Sequence, residues 1–379
     1  MSEAANKKDN YDPKENLRRF FGMMNHFFPF WFIATIGLLA ALLLPRLTHH
    51  VPGRDELKEV VVYAAQDQVY AEPILREFEK ETGIKVEAVY DSEAVKTVGL
   101  ANRLLAERSH PQCDVFWGNE EMRTRQLAAQ NVFRETNGWT AFGYRSRRIV
   151  INTNFVSLGS APAPGAVSRA PRETPADGAS AGTREGACAP RSLLELTNAI
   201  WRGKVALAFP QFGTTATHFH ALKQRWGEQR WLAWCRALAA NKPFIVDGNS
   251  VVVKQVARGE AWIGLTDSDD IAASQREGSP VTALPLTDET LLIPNTVAVI
   301  HDAPHPANAQ KLFEYLQRRE VAEKLVQASA LESSEGRAPL GPNSETGASQ
   351  SSALRQPDWD ALLRDLETTT KQLNEIFLR

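Results

Sequence analysis

Residues 60–67 read VVVYAAQD, and this stretch opens the pattern that sets the fold. Four apolar residues, three of them β-branched, followed by a polar turn mark a strand buried on both faces. Toward the C terminus the pattern returns with helices between its repeats. Ala71–Thr82 places Ile74, Leu75 and Phe78 at helical spacing, and Gly83 ends it. Ile84–Tyr90 alternates as a second strand. Lys96–Arg108 is a second helix, with Leu100, Leu104 and Leu105 turned inward. Asp114–Trp117 is a third strand and Glu121–Gln130 a third helix. This β-α-β-α-β-α rhythm predicts an α/β fold with a parallel sheet covered by helices. The chain has 379 residues, more than one ordinary core supports, so two lobes are expected.

Arg147–Asn154 reads as a strand suited to crossing between the lobes. Residues 157–190 are rich in Ala, Pro, Gly, Ser and Thr with almost no large apolar side chain, which predicts a disordered surface insertion. The second lobe resumes at Leu193. Val205–Ala208 and Trp262–Leu265 read as strands there, and Thr215–Arg225, Arg230–Ala239 and Ser250–Arg258 as helices. Leu291–Ile300 is a return strand interrupted near its start by Pro294. Helices follow at Ala307–Arg318 and Val321–Ala328. The tail Asp358–Phe377 is amphipathic, with Trp359, Leu362, Leu366 and Leu373 on one face, and is expected to pack back on a lobe. Lobe 1 is therefore assigned to 58–153 and 291–379, and lobe 2 to 154–290.

The N-terminal region carries no Asp, Glu, Lys or Arg from Phe20 to Pro45. Its apolar stretch matches the length needed to cross a hydrocarbon layer of ~30 Å. Phe27, Phe28, Phe30 and Trp31 crowd one end as interfacial aromatics do. Lys7, Lys8, Lys14, Arg18 and Arg19 precede it. The reading is a cytoplasmic tail at 1–26, one transmembrane anchor at 27–45 and a linker at 46–57. The positive-inside rule then puts the N-terminus in the cytoplasm and everything after Arg46 outside. Leu42-Leu43-Leu44-Pro45-Arg46 offers no small-residue cleavage pattern, which favours an uncleaved anchor over a signal peptide.

Composition excludes several classes. The net charge is -2, with no basic stripe interleaved with aromatics, so nucleic acid is not an expected partner. Cys113, Cys188 and Cys235 form no CxxC pair and are odd in number, against a disulfide framework or a cysteine zinc site. No H-E-x-x-H or Walker A sequence occurs, and no nucleophile–base arrangement stands out, so no enzymatic activity is expected. His218 and His220 lie two apart on a helix, on different faces.

Ligands of open α/β sheets bind beyond the carboxyl ends of strands. The candidates there are Gln66 and Asp67, Asn119 and Glu120, Gly213, Thr214 and Thr215, and the run T-D-S-D-D at 266–270. Convergence of Asp267, Asp269, Asp270 and Asp67 would cost about 3 kcal/mol for each like-charged pair at ~5 Å and an effective dielectric of ~20. A bound hard cation would remove that cost. The alternative is an ordinary helix start, where Asp and Ser cap the first turn. Gly213, Thr214 and Thr215 open a helix able to hold an anion, or merely a capped helix. Asn249 and Ser250 follow the turn Asp247-Gly248 and either enter the cleft or cap the next helix. Arg145 and Arg147 either face an anion or are solvated.

VVVYAAQD (60–67), FEKETGIKV (78–86), DVFWGNE (114–120), RSRRIVINT (145–153) and DGNSVVVKQVARGE (247–260) together resemble the ferric-iron type of bacterial extracellular solute-binding protein, over about Val60–Pro342. The resemblance implies a two-lobed periplasmic-binding-protein (Venus flytrap) fold, here preceded by one transmembrane helix. It implies no catalysis. It also implies capture of Fe(III) or a similar hard cation with an accompanying anion, and delivery to an ABC permease and its ATPase. Family iron sites use two adjacent tyrosines near the position of Ser268-Asp269, and this chain has no tyrosine pair. Asp67 stands where a histidine ligand falls, and Asn119 where a glutamate falls. The resemblance therefore assigns Asp67, Glu120, Asp267, Asp269, Asp270, Asn119 and Gln66 to a cation or amine. It assigns Gly213, Thr214, Thr215, Asn249 and Ser250 to an anion. An organic cation or aminophosphonate fits the same set, and a periplasmic sensor of the same fold is the alternative to a transport receptor.

Overall fold

The structure, a computed structural model, describes residues 58–91, 98–136, 138–158, 187–333 and 356–378. The expected tail, anchor and linker at 1–57 lie outside these residues. Among the described residues no helix is long and apolar enough to cross a membrane.

The opening motif forms β1 (Glu59–Ala64), with helix α1 (Gln68–Thr82) after it and β2 (Lys85–Tyr90) beside it. Helix α2 (Val98–Ala106) leads to β3 (Val115–Gly118) and helix α3 (Glu121–Ala129). Strand β1 lies between β2 and β3 and is parallel to both, as the sequence rhythm predicts. Side chains on the two faces of this sheet enter two separate cores. Val60, Val62 and Trp117 pack with Phe78, Leu312 and Leu316 on one side. Tyr63 and Phe116 pack with Leu100, Leu104 and Phe133 on the other.

Strand β4 (Trp139–Asn152) is eight residues longer at its N-terminal end than the expected strand at 147–154. Trp139–Ser146 mixes aromatic, small and polar residues without a clear period, a weaker signal than the apolar run that follows. Its first part, to Ser146, pairs with β11 (Leu292–Val299), and its second part, from Arg147, pairs with β9 (Ile263–Asp267). The same strand thus belongs to both halves of the molecule. The second half adds the short pair β5 (Val156–Ser157) and β6 (Ala187–Cys188), then β7 (Val205–Ala208). Helices α4 (Gly213–Trp226) and α5 (Glu228–Ala240) follow, then β8 (Phe244–Val246), α6 (Asn249–Ala257), β9, α7 (Ser268–Arg276) and β10 (Val281–Ala283). The full strand order is β2-β1-β3-β11-β4-β9-β7-β8, with β10 on β4. Pro294 does not end β11; the strand absorbs it with a register shift at Pro294/Asn295.

Two assignments need correction. The insertion expected at 157–190 is narrower, because Val156 pairs with Ala187 and Ser157 with Cys188, and residues 187–190 are held in place. Only 159–186 falls outside the described residues. The tail, assigned to lobe 1, divides at Asp365 into α10 (Trp359–Arg364) and α11 (Leu366–Phe377). The other C-terminal helices, α8 (Pro306–Leu316) and α9 (Arg319–Gln327), do cover the first half, but α11 packs on the second. Leu373 is buried among Phe219, Trp231 and Trp234, and the Phe377 ring meets Phe219 edge-on at 5.9 Å. Lys223 adds a 2.6 Å ion pair to Asp365. The apolar face required burial against some surface, and its pattern alone does not say which. Meanwhile the Arg125 guanidinium of α3 lies over the Trp359 ring of α10, so the tail touches both halves.

Leu373 is fully buried, so Leu373→Ala should lose about 2–5 kcal/mol of stability. Urea denaturation would check this, and a loss below about 1 kcal/mol would mean the tail is not part of the folded unit.

Candidate functional site

The carboxyl ends of β1, β3, β7, β8 and β9 meet at the middle of β4. Helices α1, α3, α4, α6 and α7 start at the same place. Their first turns bring unsatisfied N–H groups and the positive ends of their dipoles to this junction. A cavity of about 30 Å³ lies there. Asp67 and Asn119 border it from the first half, and Arg145 from β4. From the second half come Gly213, Thr214 and Thr215, Asp247, Gly248 and Asn249, and Asp267, Asp269 and Asp270. Nine of the twelve residues proposed from sequence are therefore brought together.

The other three are near but turned to structural work. Glu120 caps α3: its carboxylate accepts from the N–H of Met122 at 2.7 Å and of Arg123 at 2.9 Å. It also accepts from the Thr217 hydroxyl of the second half at 3.0 Å. Burial pushes its carboxyl up, against the pull of Arg123. Gln66 is buried, its Oε1 accepting from the Asp67 N–H at 3.0 Å. Ser250 is half-buried in the first turn of α6 and does not border the cavity.

Asp267 is the centre of the arrangement. Arg147 donates to its Oδ1 at 2.8 Å, and Arg145 reaches its Oδ2 at 3.3 Å. The Thr214 hydroxyl donates to Oδ2 at 2.8 Å and the Asn249 amide at 3.2 Å. Burial would raise this carboxyl, but Arg147 and Arg145 outweigh it and hold the group below its ordinary value. Arg145 also pairs with Asp269 at 3.4 Å. Burial alone would lower the Arg145 guanidinium; Asp269, Asp267, Asp67 and Asp270 reverse this and push it up. Both arginines are buried, which overturns the reading of them as solvated. The available signal was their place two apart in a strand that continues through Ile149 and Ile151, which puts all four on one face.

One carboxylate oxygen from each of Asp267, Asp269 and Asp270 lies within 4.8 Å of the others. That spacing suits oxygen ligands of a hard cation. Asp267, however, is already neutralised by two guanidinium groups, so the cluster is less acidic than the T-D-S-D-D run implies. The residues expected to face an anion line the other side of the cavity. Gly213 begins α4 with φ +52°, a left-handed conformation that favours glycine. Asn249 is bonded to Thr214 at 3.0 Å and Thr215 at 3.3 Å. At the end of β3, a Cβ on Gly118 would collide with the Thr296 and Thr124 hydroxyls, which bond each other at 2.7 Å.

The fold is an α/β structure of two halves joined through β4, with a polar cleft where they meet. The chain belongs to the bacterial extracellular solute-binding protein family, which it matches over residues 59–328. Solved structures share the fold. Iron-bound HitA from Pseudomonas aeruginosa is 16% identical, with a TM-score of 0.63 over 84% of this chain and 99% of its own. The periplasmic binding protein AfuA from Actinobacillus pleuropneumoniae, with fructose-6-phosphate bound, is 17% identical, with a TM-score of 0.64 over 84% and 98%. A two-component system protein that mediates signal transduction is 21% identical, with a TM-score of 0.58 over 81% and 99%. Comparison with curated proteins gives no significant match.

Two buried histidines set an acid limit on stability. Burial, aided by Arg147, lowers His218 to about 3, and burial, aided by Arg123, lowers His220 to about 3. Below pH 6.5 the unfolded chain takes up protons that the folded chain refuses, so stability falls as pH falls. The slope is up to about 1.4 kcal/mol per pH unit for each histidine. Asp267, whose folded value is depressed, adds a further loss below the ordinary carboxylate range. Urea midpoints measured between pH 7 and pH 4.5 should fall steadily, and a His218→Gln/His220→Gln variant should fall less. Parallel curves would show that the histidines do not stay neutral in the folded chain.

Proposed function

We propose that this protein is the receptor of an ABC-type importer, held at the outer face of the inner membrane by residues 27–45, and that its cleft captures a small zwitterion such as an aminophosphonate when the halves part, the cavity of about 30 Å³ in this conformation holding only a water or two. One observation carries the ligand class: the cavity sets Asp67, Asp269 and Asp270 against the first turns of α4 and α6, with Thr215 and Asn249 between them. A cationic group suits the carboxylates. An anionic group suits the helix N-termini and hydroxyls. The uninterrupted apolar stretch before Arg46 supports the tether, and family membership supports a periplasmic location. A permease and its ATPase are the expected partners, and no chemistry is expected on the ligand.

Ferric iron is the second reading. The clustered oxygens of Asp267, Asp269 and Asp270 favour it, as does the likeness to iron-bound HitA. Against it, no tyrosine is among the described residues bordering the cavity, and a trivalent ion would sit beside the buried Arg145.

Calorimetric titration with 2-aminoethylphosphonate, inorganic phosphate and ferric citrate separates these readings. Saturable binding of the aminophosphonate is expected, weakened about ten- to hundredfold by Asp269→Asn, the worth of a hydrogen bond to a charged group. Binding of ferric iron with no response to the aminophosphonate would replace the first reading by the second.

A further inference from the structure

A second cavity, larger than the one in the cleft, lies among the described residues. It holds about 540 Å³ on the second half, bordered by β4, the segment 188–193 and the return segment 283–290. Much of its wall is apolar: Ile149, Leu193, Leu284 and Pro285 all contribute. Its volume falls within the range of small-molecule sites.

Two buried polar side chains on this wall are incompletely bonded. Arg147 is fully buried and turns Nη1 toward Asp267 in the cleft. Its Nε and Nη2 have no hydrogen-bond partner among the described residues. Leaving a buried charged donor unpaired is costly, and a carboxylate meets the fork of a guanidinium with two parallel bonds. His218 is the second. Its Nε2 is bonded to the Glu289 carbonyl at 2.8 Å, while Nδ1 has no partner. The acidic group nearest at hand does not compete for Arg147. Glu289 spends one oxygen on the Ser192 hydroxyl at 3.0 Å and the other on the Leu193 N–H at 2.6 Å.

We propose that this cavity is a second binding site, separate from the cleft, for a small organic anion with an apolar body. The carboxylate meets Nε and Nη2 of Arg147, and the body lies against Ile149 and Leu284. Arg147 then serves two sites through opposite edges of one guanidinium. Its cleft edge holds Asp267, which in turn holds Thr214 and Asn249. Occupancy of the second site therefore biases the cleft, and by linkage the cleft ligand biases the second site equally.

The chain carries its own reporter. Cys188 borders the cavity and is exposed, whereas Cys113 and Cys235 are buried. A maleimide fluorophore on the full chain should therefore label Cys188 alone. With hexanoate as the probe, the labelling rate should fall saturably. The anchor is the charge, so hexanol should protect at least about tenfold more weakly. Arg147→Lys keeps a charge but loses the fork, and should weaken hexanoate by about tenfold. Should that variant fail to fold, Ala189→Trp places a bulky side chain on another lining residue, and should abolish protection relative to that variant's own labelling rate without hexanoate. Equal protection by hexanoate and hexanol would overturn the proposal, as would undiminished protection in Ala189→Trp. So would the absence of any protection in a chain that still binds its cleft ligand, a result that leaves the cleft reading intact.

Discussion

The pairing of Asp267 with Arg145 and Arg147 is the constraint on which the rest depends. Three charged groups are removed from water at the point where one strand serves two halves. Such burial is tolerated only when the charges satisfy one another and the remaining hydrogen bonds are made. Thr214 and Asn249 complete the set, and each opens a helix or stands in the first turn of one. The ion pairs therefore fix where α4 and α6 begin. They also fix how much of the acidic run at 266–270 is left to face a ligand.

Strand β4 joins the halves. Its residues up to Ser146 belong to one sheet half and those from Arg147 to the other. Arg145 and Arg147 lie on either side of that division and both grip the end of β9. Closure of such folds turns on the connecting strands, and here these strands carry buried charge. Further contacts bridge the halves away from the strand. Glu120 meets the Thr217 hydroxyl, Arg276 donates to the Ala328 carbonyl at 2.7 Å, and Trp359 of the tail lies against Arg125. These contacts tie the tail and the two halves together in this conformation.

Much of the first half was legible because its strands are apolar runs separated by helices with clear stops. Gly83 ends α1 in a left-handed conformation, as the sequence implies. The unread elements were those whose signal is weak locally. Trp139–Ser146 mixes aromatic and charged residues, and Phe244–Val246 and Val281–Ala283 are too short to show a period. Helix α7 was hidden by its own acidic start. Ser268, Asp269 and Asp270 form its first turn, so the ordinary helix start and the candidate site were the same residues.

The sequence by itself determined the periodicities, the stops and the list of polar residues at strand ends, because these follow from local backbone preference and from which side chains must leave water. It also determined the family. Only the tertiary structure decided which charges meet. Arg145 and Asp267 are separated by 122 positions, Glu120 and Thr217 by 97. No local pattern tells a guanidinium whether it will be solvated or buried against a carboxylate. That depends on the low-dielectric surroundings that the packed halves create, and there the same Asp267 that reads as a cation ligand becomes the counter-ion of two arginines.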